Sequence, residues 1–300
     1  MDIRELDLSA YSTAKPGSPV HLLFIHHSAG GQLMAGPGRV NGESGILRTH
    51  PNAGGLRAML GQNNYVVHEA GYGSKIGADT DICHWNRKFR DQMNRILTTR
   101  HQDTLYNDDT RNRVVMFQSG AFCNWIEADG AEPGHPDSRE KTIANYKAAY
   151  RSLLKYFRKE RETLFIALTA PPLVKPEQAQ GIIARILGRP DRVPVDEIGK
   201  RARCFNNWLK NFSAGWLSGY PLKNVVVFDY YHVLTSSGVS NWLRYPSVSG
   251  KDSHPNAQGN AIAAQKFIPF INRALDRMTE QGSTVPVGRQ EAFASKASAR

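Results

Sequence analysis

Ser28 is the residue around which chemistry can be built. It follows the apolar run at 22–25 and the pair His26-His27, and it precedes Ala29, Gly30 and Gly31. Small residues let the chain turn tightly there and leave N–H groups open to a ligand. A serine at the end of a strand and the start of a helix suits a nucleophile. Its own N–H can face an oxyanion, and the positive end of a helix favours the charge that develops. The competing reading is structural, a Gly-rich turn after a core strand. His26 and His27 also invite a metal reading. No acidic or histidine partner stands at ligand spacing, and neighbouring strand residues point to opposite faces, so the pair cannot chelate together. No metal and no cofactor is therefore expected. Cys123, the alternative nucleophile, lacks a nearby base, and cysteine is commonly buried.

The elements that must position Ser28 follow from hydrophobic patterning. The run at 22–25 is apolar without alternation, the mark of a strand covered on both faces of a parallel sheet. Similar runs at 65–69, 114–117, 164–168 and 225–228 predict four more strands. Helical periods occupy 85–97, 198–212 and 260–278, with one or two turns at 56–60. Asp137 with Glu140 resembles a capping box that opens a helix to about residue 160. The Gly-, Pro- and Asn-rich stretch 32–54 predicts a loop near Ser28, and 101–113 a polar connection. Strands alternating with helices predict an α/β fold with a doubly wound parallel sheet, whose site lies at the carboxyl ends of the strands. Those ends carry Ser28, Gly71 and Gly73, Asn124, Thr169 and, after the fifth strand, Asp252 and His254.

Three hundred residues, 40% of them hydrophobic, suffice for a full-sized core. The expected organisation is a polar lead-in at 1–17, one large domain at 18–279 and a disordered tail at 280–300. No apolar run approaches the roughly 20 residues that span a bilayer. No signal-peptide core precedes the first strand, so a cytoplasmic location is expected unless a leader has been removed. Three cysteines, Cys83, Cys123 and Cys204, are too few and too scattered for a disulfide framework. The net charge is +11, concentrated at 87–113, 147–161 and 185–203. Solvated helix faces account for most of it, and an anionic partner (an acidic polysaccharide, a membrane surface or nucleic acid) is the alternative. No aromatic-interleaved basic motif points to nucleic acid.

Ser after the first strand, Gly after the second, Asn after the third and Asp252-Ser-His-Pro-Asn-Ala-Gln-Gly259 before the last helix resemble the SGNH (GDSL-like) hydrolase superfamily. The likeness covers about residues 18–278. It implies a flavodoxin-like three-layer α/β/α sandwich with strand order 2-1-3-4-5, and metal-independent hydrolysis of esters, often acetyl esters on carbohydrates. Two features depart from the family pattern. His26-His27 stand where Gly-Asp precede the family's serine, and Lys251 occupies the acid's usual place three before the histidine. Asp252 lies two before it, a spacing found in SGNH-like acetyl-transfer and acetyl-esterase relatives.

Carried over on these positions, Ser28 is the nucleophile and His254 its general base, steadied by Pro255. Asp252 orients the imidazole, with Asp229 at the end of the fifth strand as competitor. The oxyanion hole comprises the Ser28 N–H, a glycine (Gly73 in preference to Gly71) and the side-chain amide of Asn124. Trp85 and Trp125 could stack on a sugar ring, with packing as the alternative. Transfer of the acyl group to a sugar hydroxyl, and a non-catalytic module for an anionic partner, are the other functions weighed.

Overall fold

The computed structural model describes residues 3–175, 194–247, 250 and 252–283. Lys251, the 185–193 portion of the basic run and the tail from 284 onward lie outside the described residues. Five parallel strands form the central sheet: β1 (Val20–Ile25), β2 (Tyr65–Ala70), β3 (Val114–Gln118), β4 (Leu164–Leu168) and β5 (Val225–Phe228). Their order is β2-β1-β3-β4-β5, the order the family resemblance implied. In β1, Leu22, Leu23, Phe24 and Ile25 are all completely buried. Each such side chain stabilises the fold by about 1.5–3 kcal/mol through removal from water.

Alternate residues of each strand feed two separate cores, because successive side chains leave opposite faces. Leu22, Phe24, Val114 and Met116 pack against α1 (Ser28–Met34), α2 (Leu56–Gln62) and the final helix. Leu23, Ile25, Val115 and Phe117 face α3 (Ile82–Thr98), α4 (Ile143–Phe157) and α5 (Val195–Lys210). The second core is rich in aromatic rings: Phe89 meets Phe117 at 5.1 Å and Phe157 at 4.8 Å, both edge to face. The result is a three-layer α/β/α sandwich. A short α6 (Tyr230–Leu234) follows β5, and α7 (Ala257–Ser283) closes the described chain.

Several boundaries differ from the sequence reading. The Asp137/Glu140 pair does not open a helix. α4 starts at Ile143, capped by Thr142, whose side chain accepts from the Asn145 N–H. The Asn145 amide in turn donates to Ser138 Oγ and the Glu140 carbonyl, so residues 138–140 are held in a turn. The 32–54 stretch is no plain loop. Gln32–Met34 complete α1, and Gly36–Pro37, Asn41–Glu43 and Ile46–His50 form a small second sheet. A hairpin of Thr99–His101 with Thr104–Leu105 replaces part of the polar connection. The last helix starts three residues before, and runs five beyond, the expected 260–278, with Pro269 inside it.

Candidate active site

β1 sits between β2 and β3, so its carboxyl end is flanked by the ends of both neighbours. His26 and His27 leave the strand, and Ser28 is the first residue of α1. Two glycines make the turn possible by close approach. A Cβ on Gly30 would run into the His26 ring, and one on Gly31 into the Gly45 carbonyl of the small sheet.

His254 reaches Ser28 from the segment preceding α7. Its Nε2 lies 2.7 Å from Ser28 Oγ, across 226 residues of sequence. The backbone around it is tied down: His254 O accepts from the Ser247 N–H at 3.0 Å, and the Asn256 N–H reaches Tyr245 O at 2.7 Å. Asp252 Oδ1 accepts the His254 backbone N–H at 2.8 Å and faces its ring Nδ1 at 3.3 Å. The Asp252 side chain is 54% exposed and that of His254 35%. A carboxylate on Nδ1 holds that nitrogen as the N–H, leaving the Nε2 lone pair for the serine hydroxyl.

Asp229 is elsewhere. It caps α6, accepting from the His232 N–H at 2.9 Å and from Thr169 Oγ1 at 3.1 Å. Its other oxygen pairs with the buried Lys210 at 2.9 Å. Thr169 thereby belongs to this cap rather than to the Ser28 cluster.

A cavity of about 440 Å³ opens over Ser28 and His254. Gln118, Ser119 and Gly120 at the end of β3 form one wall, and Tyr72 and Phe122 line it as well. Tyr72 and Phe122 are 43% and 45% exposed, unusually open for aromatic rings, and Tyr72 stacks on His27 at 3.8 Å. Neither aromatic was singled out in the sequence; the exposure that marks them has no local signature. Trp85 and Trp125 are buried instead: Trp85 Nε1 donates to Ser119 Oγ at 2.8 Å, and Trp125 packs on Leu173 and Ile198.

Asn124 is not part of the cavity wall. It is buried, and its amide donates to the carbonyls of Ala170 and Pro171, each at 2.9 Å, while its oxygen accepts from Asn206. Both hydrogens are thus committed to the loop after β4. The side-chain amide that does line the cavity is Gln118, which is buried and whose Nε2 has no hydrogen-bond partner among the described residues. Of the two glycines, Gly71 spends its N–H on Gln102 Oε1 at 2.9 Å. Gly73 adopts a left-handed φ of +84°, with open space around it.

The two histidines before Ser28 have separate partners. His27 Nε2 donates to the Gly77 carbonyl at 2.8 Å, and burial holds its pKa below the ordinary value. His26 is fully buried between the His27 carbonyl (Nδ1, 2.8 Å) and Glu69 (Nε2, 3.0 Å). Glu69 is also paired with Arg57 Nε at 2.7 Å. Burial pushes the Glu69 carboxyl up, but the hydrogen bond and charge of His26 and the charge of Arg57 outweigh it and leave the pKa lowered. Among the described residues no cluster of three or more His, Cys, Asp or Glu is placed to hold a metal. Burial pushes the Cys123 thiol up to about 12, which leaves it protonated and a poor nucleophile. No described helix is long and apolar enough to cross a membrane.

No protein-family model matches the chain, and no curated protein matches it. Among solved structures it is similar to a carbohydrate esterase family 2 enzyme plus carbohydrate binding domain of Corynascus thermopiles (Myceliophthora fergusii). That likeness has 14% identity and a TM-score of 0.40, over 88% of this chain and 68% of the other. A second similar structure is a carbohydrate esterase whose active site is described as having divergent catalytic and non-catalytic binding functions. There the identity is 17% and the TM-score 0.36, over 85% of this chain and 69% of the other. Likeness of this degree leaves the activity to be argued from the geometry around Ser28.

Proposed function

We propose that the protein is a serine-dependent hydrolase of short-chain acyl esters, with acetyl groups on a carbohydrate as the substrate class. The observation that carries this reading is the 2.7 Å contact between Ser28 Oγ and His254 Nε2, with Asp252 on the other ring nitrogen. In the first half-reaction the Ser28 hydroxyl passes its proton to His254 Nε2 as Oγ attacks the ester carbonyl. Asp252 stabilises the imidazolium so formed. His254 then gives the proton to the departing alcohol, and the carbonyl–alcohol bond breaks. Water, deprotonated by the same imidazole, attacks the acyl-serine; the imidazolium returns that proton to Ser28 Oγ as the acyl–Oγ bond breaks and the acid is released.

The developing oxyanion needs donors fixed beforehand, each worth roughly 10²–10³ in rate. The Ser28 and Gly73 backbone N–H groups fill this role in our reading. With the Asn124 hydrogens engaged by Ala170 and Pro171, Asn124 acts by holding the adjoining loop, and Gln118 is the side-chain amide of the cavity wall, its Nε2 buried rather than open to the cavity. Tyr72 and Phe122 supply apolar faces at the rim, suited to the faces of a sugar ring. Acetate release from a panel of acetylated glycans, with and without an added acceptor sugar, tests the assignment. Free acetate in both arms supports hydrolysis. Acetyl groups recovered on the acceptor would make the protein a transferase, and no acetate in either arm would exclude both.

A further inference from the structure

The His27–Ser28 peptide is gripped from one side. Its carbonyl accepts two hydrogen bonds, from the Gly31 N–H at 2.9 Å and from His26 Nδ1 at 2.8 Å. A trans peptide is planar, with its N–H opposite its C=O. Whatever fixes the His27 carbonyl therefore fixes the direction of the Ser28 N–H. The Gly31 bond is the ordinary first bond of α1; the His26 bond is an addition peculiar to this turn.

His26 is itself held on every side. The ring is fully buried, packs against Phe24 at 4.4 Å between centroids, and leaves no room for a Cβ on Gly30. Its Nε2 faces Glu69 at the end of β2, and Arg57 of α2 closes the array on the other carboxylate oxygen. The His27 carbonyl can only accept, so the ring donates to it through Nδ1. A donor there polarises the His27 carbonyl and, through the conjugated amide, makes the Ser28 N–H a stronger donor. Two buried ionisable side chains are costly in a core unless paired, and this pair lies directly under the turn that carries Ser28.

We infer that His26, anchored by Glu69 and Arg57, is a positioning residue that holds the His27–Ser28 peptide so that the Ser28 N–H stands ready as an oxyanion donor. The inference rests on the serine-esterase reading and gives a role to the histidine that replaces the glycine of the Gly-Asp-Ser pattern.

Two substitutions separate the contacts of the ring. His26→Asn retains a donor near the Nδ1 position and loses the reach to Glu69. His26→Gln retains a donor near Nε2 and loses the bond to the His27 carbonyl. The readouts are kcat and KM on an aryl acetate, the affinity of phenylboronic acid as a tetrahedral adduct of Ser28, and Tm. His26→Gln is expected to lower kcat by about 10–100-fold, part of what an oxyanion donor contributes. Boronate affinity should fall in parallel and KM should stay within about threefold. His26→Asn should retain more kcat than His26→Gln even where its Tm is the lower of the two. Glu69→Gln, which keeps the hydrogen bond but removes the charge, covers the case in which either variant fails to fold, and should also lower kcat and boronate affinity together. An active wild type with kcat losses that merely track Tm, or with unchanged kcat in the folded variants, overturns the positioning role alone. A folded wild type that neither turns over esters nor binds the boronate overturns the esterase reading and this inference together.

Discussion

Asp252 uses one oxygen for two tasks: it accepts the His254 backbone N–H and faces the ring Nδ1. The backbone bond fixes the turn, and the ring contact fixes the tautomer. Replacing a buried triad carboxylate by an amide costs roughly 10⁴ in kcat. Asp252 is more than half exposed and 3.3 Å from the ring, so water shares its charge and its loss should matter less. Asp252→Asn is expected to lower kcat by about 10²–10³ with little change in Tm. Asp229→Asn should leave kcat within a factor of about three and instead reduce stability by about 1–3 kcal/mol, since buried Lys210 would keep only the exposed Glu5. Steady-state kinetics and urea unfolding of both variants check the ranking; a larger kcat loss for Asp229→Asn would reassign the acid. Prolonged treatment with EDTA should leave kcat unchanged, because each proton transfer in the proposed cycle is made by a side chain. Lost activity restored by zinc would contradict that.

At the scale of the elements, the nucleophile turn depends on close packing between α1 and the small sheet. Gly31→Ala would drive a methyl group into the Gly45 carbonyl, and backbone cannot yield as a flexible side chain can. The cost should be about 1–3 kcal/mol of stability, as for other overpacked sites, with kcat falling because Ser28 moves with the helix. Thermal unfolding and aryl acetate kinetics measure both, and an unchanged Tm would contradict the packing. The same element shows what the sequence makes visible. Buried parallel strands are continuous apolar runs, so β1, β3, β4 and β5 could be read directly, edge strand β2 with its His68 and Glu69 only from its Tyr65-Val66-Val67 start, and Ser28 could be placed at the end of β1. His254 was legible from its block before the last helix. Asn124 suits an oxyanion donor by type and position, while its engagement with Ala170 and Pro171 is decided by tertiary contacts more than 40 residues away in sequence. Gln118, Glu69 and Arg57 escaped for the same reason: local patterns carry no sign of an unpartnered amide or of an ion pair across elements. The capping box at 137–140 failed because Asp137 Oδ1 accepts from Asn86 and the Asn145 amide holds Ser138 and Glu140 in a turn.

For the molecule as a whole, partly buried histidines contribute to the acid side of the stability profile. His68 is depressed to about 4 from 6.5 by burial, with its neighbour His21, 3.2 Å away, adding to the shift. A depressed histidine binds fewer protons folded than unfolded between those values, so its contribution is whole above about pH 6.5 and is lost as pH falls towards 4. The burial-depressed His27 and His232 act in the same direction. Tm should therefore hold near neutral pH and decline between about pH 6.5 and 4, with a shallower decline in His68→Gln; a flat profile across that window would contradict the assignment. The net charge of +11 bears on substrate choice. On a neutral acetyl ester, kinetics should hardly change with salt, whereas an anionic glycan ester should show a KM that rises with ionic strength at constant kcat. The most direct test of the central claim is mass-spectrometric mapping of the protein after reaction with a fluorophosphonate, alongside aryl acetate turnover by Ser28→Ala. The account predicts a single adduct on Ser28 and a folded Ser28→Ala protein with activity reduced by at least about 10³. An adduct on another residue, or a Ser28→Ala variant that turns over like the wild type, would contradict it.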